Sequence, residues 1–118
     1  MITEGSIMQT SIDDLHEKVT ILRATKTRDD DGNIIPSYSA LRNVWAKVLP
    51  ISAAIKDGYS AQDNEVVYRI VIRYADDLLY DDRIGWRGKI LILTAPPYDA
   101  ESRHVWTVII AREMVENG

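Results

Sequence analysis

Side chains branched at Cβ dominate the apolar part of this sequence, with 15 Ile and 9 Val against 8 Leu and no Phe. Such side chains are stiff at χ1 and pack better on a pleated surface than on a helix. The chain has 118 residues, of which 46% are hydrophobic and 27% charged, so it can bury one core and is short for two. The expected fold is all-β: a small antiparallel β-barrel or sandwich of about five to six strands, with a long loop carrying a short helix. No repeat, low-complexity tract or flexible linker divides the sequence. Residues 1–13 read as an N-terminal extension and residues 14–118 as a single domain.

Alternation is clearest over residues 65–74. Val66, Tyr68, Ile70, Ile72 and Tyr74 share one face, and Val67, Arg69, Val71 and Arg73 share the other. Further strands are expected at 19–25, 38–49, 84–86, 89–95 and 104–114. In the second of these, Val44, Ala46 and Val48 face one way and Trp45, Lys47 and Leu49 the other. Ser11 is placed to cap a short turn through Asp13, Asp14 and Leu15. Pro50 and the pair Pro96-Pro97 stop strands. Residues 51–64 form the longest stretch without strand character inside the domain. Ser52 and Gly58 could bound one or two helical turns there, in an exposed loop of a length that often carries function.

Two strands are apolar on both faces. Ile90 and Ile92 oppose Leu91 and Leu93, while Trp106, Val108 and Ile110 oppose Val105, Ile109 and Ala111. The third strand, by contrast, leaves Arg69 and Arg73 to water. A small closed sheet has one interior, so some second faces need cover from loops, from the N-terminal arm or from another subunit. Covering one Ile or Leu fully is worth about 1.5–3 kcal/mol, which makes association the alternative to a covering loop.

The chemistry-bearing residues are sparse. With no cysteine, disulfides, thiolate zinc sites and cysteine nucleophiles are excluded. Two histidines, His16 and His104, stand apart without a nucleophile pattern. Gly-x-Ser-x-Gly, phosphate-loop and dinucleotide patterns are absent, so no catalytic, cofactor or metal residues are assigned and an enzyme is not expected. Asp29-Asp30-Asp31-Gly32-Asn33 resembles a calcium loop only loosely. Registered on Gly32, its first and last ligand positions hold Thr27 and Tyr38, so a plain turn is expected. Asp76, Asp77, Asp81 and Asp82 read as turn residues that cap backbone amides and stay solvated. Trp45, Trp86 and Trp106 read first as core anchors and second as interface residues, and Tyr68 and Tyr74 as core. The net charge of −4 argues against a general nucleic-acid binder. No apolar run approaches the roughly 20 residues of a membrane span, and the N-terminus lacks signal-peptide character, so a soluble protein made in the cytoplasm is expected.

Several segments, in order, resemble those of the phage head–tail joining family, the small adaptor or head-closure proteins of long-tailed bacteriophages. They are Asp14-Leu15-His16-Glu17-Lys18-Val19-Thr20-Ile21, Val44-Trp45-Ala46-Lys47-Val48-Leu49-Pro50-Ile51-Ser52, Tyr59-Ser60-Ala61-Gln62, Tyr68-Arg69-Ile70-Val71-Ile72-Arg73-Tyr74, and Arg83-Ile84 with Arg87-Gly88-Lys89. The resemblance runs from about Asp14 to Met114. The sequence departs from the family in extra residues at the start and in the acidic Asp76–Asp82 turn.

The resemblance implies a structural subunit of a connector ring in the virion neck, assembled in the bacterial host cytoplasm. Its partners would be the portal protein or a neighbouring connector ring, and tail proteins. Double-stranded DNA would pass through without sequence-specific binding, which an acidic surface favours, and no membrane is involved. Free subunits are expected to be monomers that form a homo-oligomeric ring on a template. By the same resemblance Ser52, Ile55, Lys56, Asp57, Tyr59, Gln62 and Asp63 are the candidate channel or inter-subunit loop. Arg69, Arg73, Trp86 and Arg87 are candidate interface residues. The alternatives are a tail-completion protein on a similar scaffold, or a small ligand-binding β-barrel or enzyme using the Asp76–Asp82 carboxylates.

Overall fold

A computed structural model describes residues 10–51 and 66–114. The candidate loop residues Ser52 to Asp63, with the short helix expected among them, lie outside the described residues. Seven antiparallel strands form one sheet: β1 (Glu17–Arg28), β2 (Ile34–Pro50), β3 (Val67–Arg73), β4 (Arg83–Trp86), β5 (Lys89–Leu93), β6 (Tyr98–Asp99) and β7 (Trp106–Glu113). The order is β3-β2-β1-β4-β5-β7-β6, and β7 also pairs with β3, so the sheet closes on itself. The all-β antiparallel expectation holds, and the extra strand is the two-residue β6. Among the described residues no helix is long and apolar enough to cross a membrane.

The closed sheet wraps one apolar interior. Val19, Ile21, Ala46, Tyr68, Ile70, Ile72, Ile84, Leu91, Leu93, Ile109 and Ala111 are buried in it. Every strand of the ring supplies inward side chains at alternate positions, as the period of two requires. A smaller cluster lies on the outer side of β3 and β7. Leu15, beside the capped 3-10 turn Ile12–Asp14, and Ala100, just after β6, pack with Val71, Trp106 and Val108. The second apolar face of β7 is therefore covered by this chain's own N-terminal turn and β6 segment.

β3 departs from the expected wet face. Val67 and Val71 are buried on the side that carries Arg69, and Arg69 is itself half-buried. β7 and the covering segments enclose that face.

β1 and β2 are longer than expected, Glu17–Arg28 against 19–25 and Ile34–Pro50 against 38–49. Thr25, Thr27, Ile34 and Ile35 are β-branched and extend the ladder to Arg28 opposite Ile34. The connecting turn contracts to residues 29–33. There the Asp29 carboxylate accepts the backbone N–H groups of Asp31 at 3.0 Å and Asn33 at 2.8 Å. β4 pairs with β1 only over Thr20–Leu22, and β3 pairs with β2 only over Ala46–Pro50. The distal part of the hairpin thus extends past the closed sheet as a two-stranded ribbon. Residues 25–28 and 34–37 on it are exposed.

Candidate interface surfaces

The four candidate interface residues fall in two places. Arg69 and Arg73 lie on the outer side of β3, opposite Ile110 and Trp106 of β7. Among the described residues the buried Arg69 Nε has no hydrogen-bond partner, and the exposed Arg73 has no ion pair. Trp86 and Arg87 sit at the β4–β5 turn, two strands away from β3 around the sheet. Arg87 and Gly88 both have positive φ, 49° and 77°, as a two-residue hairpin of this hand requires.

Trp86 is half-buried and edge-on to Tyr68, with ring centroids 5.1 Å apart. Its Nε1 donates to Glu17 Oε1 at 2.9 Å, and the Arg87 guanidinium donates to both Glu17 oxygens at 3.0 and 2.9 Å. These donors, Trp86 first, hold the Glu17 carboxyl below its usual range. The cluster ties β1 to the β4–β5 turn and closes one side of the interior.

The acidic turn differs most from its expectation as a solvated cap. Asp82 is 2% exposed and accepts two hydrogen bonds from the Arg23 guanidinium, at 2.7 and 2.9 Å, and one from the Leu79 N–H at 2.8 Å. Arg23 also donates to the Asp77 carbonyl at 2.9 Å. Asp77 is held bidentately by Arg42 at 2.7 and 2.8 Å, and the Arg42 hydrogen bonds, the largest cause, pull its carboxyl down to about 2. The turn is therefore fastened to β1 and β2 by two arginines. No group of three or more His, Asp or Glu that could hold a metal occurs among the described residues. Leu79, Tyr80 and Asp81 remain exposed.

Two further placements correct the sequence reading. Trp45, expected as a core anchor, is 58% exposed. Tyr74 is only half-buried, its ring 4.6 Å from that of His104. Both side chains border a cleft of about 380 Å³ where β2 and β3 diverge beyond the Ala46–Ile72 pair. Val44, Ile72 and Leu15 give it an apolar floor, and Arg42 and Arg73 line it as well. Alternation could not identify this cleft. It arises because β2 continues past the point where β3 turns away.

Residues 10–114 match the phage head completion protein family. The chain belongs to that family. It is accordingly a phage structural protein, and the head–tail joining resemblance of the sequence agrees with the match.

Among solved structures, protein SF1141 from Shigella flexneri 2a is similar over 92% of this chain and 100% of its own, at 28% identity and a TM-score of 0.74. A chain in the virion of the native gene transfer agent particle has the same fold. It is 20% identical with a TM-score of 0.66, over 86% of this chain and 97% of that one. No curated protein matches the sequence.

Proposed function

We propose that this chain is the repeating subunit of a head–tail connector ring, joining the portal to the tail and extending or closing the DNA channel in the virion neck. Membership of the head completion family across residues 10–114 carries this reading. The physical features support it. Among the described residues the interior of the closed sheet is filled by apolar side chains. The chain carries a net charge of −4, and a passage for DNA works best when its walls do not compete for phosphates with bound cations. Exposed apolar residues at Trp45, Leu49, Ile34 and Ile35 offer contact area for neighbours. Ring symmetry multiplies such contacts, each weak alone.

The mechanism is assembly: copies arriving from the host cytoplasm collect on the portal, and the completed ring receives the tail. Electron microscopy of particles made with and without the gene tests this. DNA-filled heads that lack tails, and whose portal end lacks one ring of density, are the expected result of deletion. Normal tailed particles without the chain would overturn the reading.

A further inference from the structure

The molecule carries a knob and a hole that it cannot bring together by itself. The knob is the tip of the β1–β2 hairpin. Ile34 is 58% exposed and Ile35 44%, and the adjoining Asp30 and Asp31 point no carboxylate at any cation among the described residues. The hole is the cleft between β2 and β3, apolar at Val44, Trp45, Leu15 and Ile72 and bordered by Arg73, which has no ion pair among the described residues.

The two match in kind. Branched apolar side chains meet an apolar floor, and carboxylates meet a guanidinium, which complements them in charge and geometry. Ile35 and Trp45 lie on the same strand ten residues apart, about 30 Å at the rise of an extended chain, so a tip cannot fold back into its own cleft. Pro36 interrupts the row of N–H donors along the hairpin's outer edge, which disfavours simple strand addition and leaves the tip as the contact.

We infer that the hairpin tip of one copy seats in the Trp45–Arg73 cleft of the next copy, Ile35 against the apolar floor, Ile34 on the opposite face of the ribbon against the rim, and Asp30 and Asp31 pairing with Arg73. The contact uses different patches on its two sides, so repetition generates a ring if the rotation closes. This inference rests on the ring reading above and specifies which surfaces build the ring.

The chain has no cysteine, so introduced ones report a single geometry. Particles assembled with the Asn33→Cys, Ile12→Cys double variant, which places one thiol at the exposed tip and one at the cleft and leaves Ile35 and Arg73 intact, are treated with a short bismaleimide cross-linker and run on a denaturing gel. A ladder of dimers, trimers and higher species is expected, while a mixture of the two single variants stops at dimers. Particles that show the ring by microscopy yet give only monomers on the gel would overturn this contact and leave the ring reading standing. Particles of the unaltered chain without any ring would overturn both.

Charge exchange provides the second arm. Arg73→Asp is expected to lower the yield of tailed particles about tenfold or more. Adding Asp31→Arg to the same chain restores it to within a few-fold. Failure of every Asp30→Arg and Asp31→Arg combination to rescue, with the variant chain folded by circular dichroism, counts against the pairing.

Discussion

Arg23 and Asp82 are 59 positions apart in sequence and 2.7 Å apart in the fold. Their side chains are 30% and 2% exposed, so the carboxylate depends on the guanidinium for most of what water would have supplied. Arg23→Ala should therefore cost about 3 kcal/mol in a urea melt, because it leaves a buried charge with only the Leu79 N–H. Asp77 gives a pH signature of its own. Its carboxyl is held at about 2 against an ordinary 3.8, so the unfolded chain takes up that proton first as the solution is acidified. The stability it contributes is complete above pH 3.8 and is lost as the pH falls toward 2. Asp77→Asn should flatten that part of an acid-unfolding curve and lower the neutral-pH stability by the same amount, less than about 1 kcal/mol because the pair is half-exposed and screened by salt. Neither arginine partnership was legible in the sequence. Local pattern shows that four aspartates sit in a turn; it does not show which distant cations the closing sheet brings to them. Trp45 escaped for the related reason that its exposure depends on where β3 leaves β2.

Among the elements, β3, β5 and β7 were readable because their inward residues alternate without interruption. Ile70, Ile72, Leu91, Leu93, Ile109 and Ala111 all face the interior, as the period of two predicts. The second faces of β3 and β7 were also readable as a problem in need of cover, although not as one solved by Leu15 and Ala100. The β1–β2 hairpin was underestimated because Lys26 to Ser37 is polar and lacks strict alternation, yet its ladder runs through to Arg28 and Ile34. The tight β4–β5 connection rests on Gly88, whose φ of 77° suits a residue without Cβ. No atom lies within 4 Å of the place a Cβ would occupy, so Gly88→Ala meets only the backbone penalty. A loss of about 1 kcal/mol is expected by thermal melting, with the hairpin retained.

For the whole molecule, stability and assembly should separate cleanly. Ile70→Ala removes a side chain that is fully buried in the interior and should cost about 3–4 kcal/mol. Trp45→Ala acts on a largely exposed ring and should shift the isolated chain's stability by less than about 1 kcal/mol, while strongly reducing its incorporation into particles. Equal loss of stability for the two variants would show that Trp45 serves the fold and not the contact.

The manner of closure bears on when the protein can fold at all. β7, the last of the seven strands to leave the ribosome, is flanked on one edge by β3 and on the other by β5 and β6. Until it emerges, a nascent chain holds an open sheet with Ile70 and Leu91 in water and nothing to bridge them. Acquisition of the native state is thus tied to the emergence of β7, and a polypeptide made only as far as β6 is the form most in need of chaperones.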